Sequence, residues 1–279
     1  MWRRIFFVFF IPLCICGGFV FFILQNPAFF EWLLPRSIAH QGSPYQLTAL
    51  KIGKQEFLPP GQLVWQDVRA QIKDQHTVYT IAVKEIGIGG LETVLQNNGV
   101  VACAVDHLTL QSGSLEIQDL IGTVQIDLVE KKFSKMRGAL MIAAIRFDPY
   151  RLNKFSVNFS GDGSELNTQN FSAQTYDGIL QGNLRMTFKP RERYNLILNL
   201  KGINFKTFAE AQQAPVSVVG KVGGEIVLNG NLTGVRSLQM DLNLEQGGKM
   251  KGELLSFVVQ YLPPSIERKK LLRKRRSSL

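Results

Sequence analysis

Cysteine and histidine are scarce in this chain of 279 residues, with three of each. Cys14 and Cys16 sit in an apolar N-terminal stretch, which leaves Cys103 alone in the body. Neither a disulfide framework nor a zinc spacing can be assembled from that set, and so few thiols do not fix a redox compartment. Cys103, inside "VVACAV", reads as a small buried hydrophobe. His40, His76 and His107 are isolated from one another along the chain. No Ser–His–Asp grouping, phosphate loop or pair of carboxylates is spaced for chemistry. "VDHLTL" places Asp106 beside His107, which is too little to define a site. The sequence assigns no catalytic residue, no metal ligand and no cofactor, and the expectation is a protein that is not an enzyme.

A broad charge excess is also missing. The formal net charge is +10, yet "ERKKLLRKRR" near the C-terminus carries seven cations and one carboxylate. Without its six net charges the remainder stands at +4, and without Arg3 and Arg4 at +2. A nearly neutral body does not offer the basic surface that nucleic acid requires, so no nucleic-acid partner is expected. The seven cations Arg268, Lys269, Lys270, Arg273, Lys274, Arg275 and Arg276 flank Leu271 and Leu272 and suit an anionic membrane surface. A solvated tail that aids solubility or topology explains the run equally well.

What the chain does have begins with a long hydrophobic run. "MWRRIFFVFFIPLCICGGFVFFILQNP" places two arginines before Ile5–Leu24, a stretch without any charge. Twenty residues at about 1.5 Å each reach roughly 30 Å, the thickness of a bilayer's hydrocarbon layer. No small-x-small cleavage site follows, so residues 1–27 read as an uncleaved signal anchor. Arg3 and Arg4 hold the N-terminus in the cytoplasm on this reading. "FFEWLLP" forms an aromatic collar at the far interface, inside a juxtamembrane linker over 28–44.

From Tyr45 the period changes to two. "QLTALKI", "LVWQDVRAQI", "TVYTIAVKEI", "VVACAVDHLTL" and their successors alternate apolar and polar residues, rich in β-branched types and punctuated by Gly, Asn and Pro. Turn signals such as "QNNG", "QSGS" and "SGDGS" recur as antiparallel hairpins require. The pattern predicts about a dozen strands over 45–262, followed by a basic tail over 263–279. Two stretches look helical, "INFKTFAEAQQAP" and "KGELLSFVVQYLPPS". "KEIGIGGLETVLQNNG" has room for one further turn.

The alternation is cleanest late in the chain. Leu180, Leu184, Met186 and Phe188 share one side of a strand; Leu196, Leu198 and Leu200 share a side of the next. Ile226 and Leu228 follow, and then Leu238, Met240, Leu242 and Leu244. Their neighbours in sequence are mostly Gln, Asn, Arg, Asp and Lys. A one-residue slip would exchange the faces, so the register is strongly set. Twelve strands span about 55 Å and a helix covers about 10 Å, so two short helices cannot hide the apolar face. The sheet must close as a sandwich or curl as an open groove. Pattern alone favours the sandwich, the commoner way to bury such a face.

Two segments bear on that choice. "YDGILQGNLRMTF…YNLILNLKGINFKTFAEAQ" and "GKVGGEIVLNGNLTGVRSLQMDLNLEQGGKMKGELLSFV" place Gly178, Gly182, Gly202, Gly220, Gly224, Gly230, Gly247 and Gly252 among alternating hydrophobes. This resembles the C-terminal region of the AsmA-like, TamB-related envelope proteins, over roughly Phe171 to Leu262. The resemblance implies a curled antiparallel sheet with an apolar groove, lined here by the thirteen hydrophobes from Leu180 to Leu244 named above. It further implies a single-pass inner-membrane protein with its body in the periplasm. The implied partners are acyl chains of phospholipid or lipopolysaccharide, the inner membrane and other envelope proteins. A scaffold or secretion-apparatus component with a closed sandwich body is the rival expectation.

Overall fold

The structure, a computed structural model, describes residues 46–249 apart from 74–76, 97, 131, 189–191, 212–218 and 232–233, together with Pro27, Ala28, Glu31 and Pro35. The expected anchor, the helix expected in "KGELLSFVVQYLPPS" and the basic tail lie outside the described residues. Among the described residues no helix is long and apolar enough to cross a membrane. The protein is mainly β and antiparallel, with twelve strands and two short helices over 46–249.

The chain divides after Lys132 into two compact units. The first holds β1 (Gln46–Leu58), β2 (Gln62–Lys73), β3 (Val78–Gly89), β4 (Gly99–Ser112) and β5 (Leu115–Val129). Helix α1 (Leu91–Gln96) connects β3 to β4. Each strand pairs antiparallel with its neighbour in sequence. One apolar rung crosses all five strands: Ile52, Val68, Val83, Leu108 and Leu120 are each directly opposite the next. Ile52, Val68 and Val83 are buried there. The Ile52 amide donates to the Glu31 carboxylate at 2.6 Å, so it is not open to a further strand.

A polar doublet interrupts the alternation in the middle of four of these strands. It is Gln66–Asp67 in β2, Lys84–Glu85 in β3, Asp106–His107 in β4 and Gln118–Asp119 in β5. The apolar residues on either side are three apart rather than two: Trp65 and Val68, Val83 and Ile86, Val105 and Leu108, Ile117 and Leu120. The second residue of the doublet has a positive φ in Asp67 (54°), His107 (51°) and Asp119 (58°). Each positive-φ residue shifts the alternation by one and returns the next hydrophobe to the apolar face; the pairing register runs unbroken through Asp67, whereas the β4–β5 ladder shifts around Leu108, a bulge. Because the doublets are adjacent across the ladder, their side chains meet. Gln66 donates to Glu85 at 3.1 Å, Lys84 pairs with Asp106 at 3.3 Å, and His107 contacts both Asp106 and Asp119.

The second unit holds β6 (Lys132–Phe147), β7 (Tyr150–Asp162), β8 (Glu165–Thr175), β9 (Gly178–Thr187), β10 (Arg193–Asn204), β11 (Val219–Asn231) and β12 (Gly234–Lys249). Helix α2 (Phe205–Ala211) follows β10. Again sequence neighbours pair antiparallel. Bulges recur at Lys154 (φ 49°) in β7 and Asn170 (φ 48°) in β8, each the second member of a polar doublet. Gly202 (φ 64°) does the same in β10, where glycine takes the left-handed conformation without a Cβ clash. The freed amides find side-chain acceptors on other strands: Asn170 donates to Asn183 Oδ1 at 2.7 Å and Gly202 to Glu245 Oε1 at 3.0 Å.

Helix α2 covers one end of this unit's apolar face. Its own Phe205 and Ala209 are buried together with Val222 of β11, with Phe208, Leu242 and Leu244 packed around them. Its first turn is capped by Asn204, whose Oδ1 accepts from the Thr207 amide at 3.3 Å. The helix expected in "INFKTFAEAQQAP" is present, and its Phe205, Phe208 and Ala209 pack together.

Candidate functional site

The apolar face of the second unit is built from rungs that run across successive strands. Thr168, Leu184, Leu196, Leu228 and Leu238 stand opposite one another from β8 to β12. The next rung is Phe171, Gly182, Leu198, Ile226 and Met240, and the next is Ala173, Leu180, Leu200, Gly224 and Leu242. Period two puts every one of these on a single side of the sheet. The opposite side is wet: Arg185 bonds Glu165 at 2.9 Å, and Asn195 bonds Asn229 at 2.7 Å, which in turn reaches Ser237 at 3.2 Å.

A trough of about 510 Å³ lies along the apolar face, lined by Met136, Leu140, Phe155, Val157, Phe159, Leu166, Thr168, Phe171, Leu184 and Leu196. Thr168 supplies the sole side-chain polar atom in that set, and its hydroxyl is tied to the Leu184 backbone, accepting from the amide at 2.8 Å and donating to the carbonyl at 3.4 Å. The trough therefore presents carbon. Phe155 and Phe171 stack at 6.2 Å between centroids. The Phe171 ring lies over Gly182, where a Cβ would come within 2.7 Å of it.

Of the lining residues expected from sequence, Leu184 and Leu196 are in the trough itself. Leu180, Met186, Leu198, Leu200, Ile226, Leu228, Leu238 and Met240 continue the same side, and each is partly rather than fully buried. Leu242 and Leu244 pack under α2 and belong to its small core. Phe188, just past the end of β9, is 40% exposed. Sequence reading missed Met136, Leu140, Phe155, Val157, Phe159, Leu166 and Phe171, which come from β6, β7 and β8. In β7 and β8 the Asn153–Lys154 and Gln169–Asn170 doublets shift the alternation by one residue just before Phe155 and Phe171.

A second, polar cavity of about 790 Å³ sits at the end of the unit where β6 turns into β7. Asp148, Arg151, Asn153, Gln174, Asp177 and Glu210 are among its lining residues. Asp177 is engaged by Asn204 at 3.1 Å. Three carboxylates and one guanidinium make it a mixed-charge recess rather than an anion site. In the first unit, burial pushes the Cys103 thiol above its ordinary value, which keeps it protonated and unreactive near neutral pH. Among the described residues, no group of three or more His, Cys, Asp or Glu is placed to hold a metal ion.

These features define a class of architecture: antiparallel meanders in which, among the described residues of the second unit, a short helix packs on one end of the apolar side. No family model matches the chain, and no curated protein or solved structure matches it either.

Proposed function

We propose that the chain is a membrane-anchored envelope protein of AsmA-like type, whose second unit offers an open, curled groove to acyl chains. It binds or guides phospholipid or lipopolysaccharide, with its anchor in the inner membrane and its body in the periplasm. One observation carries the reading. The face from β6 to β10 has an apolar trough, and its expected lining residues are partly exposed rather than sealed in a core. Each methylene moved from water onto such a surface contributes about 0.8 kcal/mol. A phosphate head group can stay in water at the trough's open side, and no catalytic group is needed. The residues and glycines that resemble the AsmA-like pattern support the same reading.

The test is native mass spectrometry of the full chain released from gentle detergent. Co-purifying phospholipid or lipopolysaccharide is expected, and Leu196→Asp together with Leu184→Asp should deplete it. A bare chain holding a stable protein subunit instead would favour a scaffold and end the lipid reading.

A further inference from the structure

On the wet side of the first unit, like charges meet at two places, and only one of them is compensated. Glu85 stands directly opposite Asp106, but Gln66 donates to Glu85 and Lys84 pairs with Asp106. Lys51 stands directly opposite Arg69, and Lys73 follows on the same side of β2 by period two. All three cations are exposed. Their other cross-strand neighbours are neutral: Arg69 faces Ala82 of β3, and Lys73 faces Gln46 and Val78. Asp67, two residues before Arg69, lies beside Gly53. Among the described residues none of the three cations has an ion-pair partner. Directly opposed residues hold their Cβ atoms about 4.5–5.5 Å apart, where like charges destabilise the pair. An anion that both cations reach relieves that repulsion.

A second observation says where the anion comes from. The Glu31 carboxylate accepts the amide of Ile52, the residue after Lys51, at 2.6 Å. Glu31 follows Leu24, the end of the apolar run, by seven residues. Seven residues reach at most about 25 Å when fully extended and about 10 Å as a helix. Pro27, Ala28 and Glu31 are helical, which shortens the reach. A bilayer's head-group layer is about 5–8 Å thick on each side of its hydrocarbon. With Ile5–Leu24 in a bilayer, covalent length alone keeps this end of β1 beside the head groups, whichever path the chain takes.

We propose that the wet side of β1 and β2 lies against the bilayer that holds the anchor, with Lys51, Arg69 and Lys73 on lipid phosphates. The Arg69 guanidinium matches phosphate oxygens in a planar fork, and the two lysines act as point charges beside it. Cations close to an anionic leaflet are attracted within a Debye length, the distance that the short tether from Leu24 enforces. The Glu31–Ile52 contact sets the register, because it fixes β1 to the segment that leaves the membrane. The apolar side of the unit, with Ile52 and Val68, then faces away from the head groups. This surface rests on the anchored reading of the chain and is independent of the trough.

Photo-crosslinking of the full chain in vesicles of phosphatidylethanolamine and phosphatidylglycerol tests the contact. A benzophenone amino acid replaces Gln71, exposed between Arg69 and Lys73, or, as a control, Thr123, exposed on β5. Adducts are identified by mass. Position 71 should capture lipid, with phosphatidylglycerol favoured about fivefold per engaged cation, and position 123 should capture none. Lys51→Gln with Arg69→Gln should bring that preference close to one, and high salt should do the same. In detergent this double variant should unfold at the parent's urea midpoint or above it, because a repulsion has been removed. A lower midpoint would mean that the two cations hold the fold, and overturns the proposal. Equal lipid capture at 71 and 123, or polypeptide in place of lipid at 71, overturns it as well. So does loss of the adduct to inorganic phosphate but not to chloride at equal ionic strength, which would assign the cations to a free anion. Carbonate extraction separates the two readings. A chain that stays in the membrane with no lipid at 71 leaves the anchor standing and ends this surface; a chain that is released ends both.

Discussion

Replacing Leu196 by aspartate separates a groove wall from a sealed core more sharply than any other single change. Leu196 is partly buried in the trough, with Leu184 and Leu228 as its cross-strand partners. Each such pair contributes roughly 0.2–1 kcal/mol. Its loss should therefore cost about 1 kcal/mol, because the new carboxylate can reach water over the trough's open side. Val222 is the comparison: it is 2% exposed beneath α2. Val222→Asp forfeits about 1.5–3 kcal/mol of burial and adds several kcal/mol for a charge with no water and no partner. With a urea slope of about 2–3 kcal/mol per molar, Leu196→Asp should lower the midpoint by about 0.3–0.5 M. Val222→Asp should lower it by well over about 1 M. Pulse proteolysis of the full chain in mild detergent reads both midpoints. Equal losses for the two variants would mean that the trough is interior, and the argument from its exposure would collapse.

Two other outcomes follow from local geometry. Gly224 has φ +133°, and a Cβ there would stand 2.1 Å from the Asp241 carbonyl oxygen and 2.9 Å from the Leu242 Cα. Gly224→Ala should cost about 1–3 kcal/mol, whereas Gly87→Ala, with nothing within 4 Å, should be neutral or slightly stabilising on the same assay. Asp162 accepts from the Ser164 hydroxyl and from the Ser164 and Glu165 amides, which together hold its carboxyl below the usual carboxylate range. A depressed value stabilises the β7–β8 turn above that range, and the contribution fades as pH falls through it. The protection of the Ser164 and Glu165 amides against hydrogen exchange, relative to their intrinsic rates at each pH, should therefore fall on acidification in the native chain. In Asp162→Asn that protection should be insensitive to the same change; an unaltered acid response of the protection in the variant would refute the assignment.

Strand identity was legible in the sequence wherever alternation was unbroken. In β9 to β12 the residues opposite one another are those that period two placed on one side, from Leu180 to Leu244. The α2 helix was legible from Phe205, Phe208 and Ala209 and from Pro215 after it. The first half of the trough was not, since Phe155 and Phe171 each follow a polar pair that changes the parity of the strand. A period-two reading carried through Asn153–Lys154 or Gln169–Asn170 assigns the wrong residues to the wet side. The bulges themselves are marked by an apolar–polar–polar–apolar spacing that appears in β2, β3, β4 and β5 as well. The contact of His107 with Asp119 was beyond sequence, because twelve residues and a hairpin turn separate them.

Pairing confined to sequence neighbours has a consequence for how such a protein is made and altered. Within each unit every hairpin can close as soon as its second strand is synthesised, without waiting for a distant segment, which keeps the loop-closure cost small. Growth or trimming by whole hairpins leaves the surviving pairs unchanged, as in other arrays held by nearest-neighbour contacts. The length of the oily surface is thus set by how many hairpins a gene encodes, and evolution can adjust it two strands at a time.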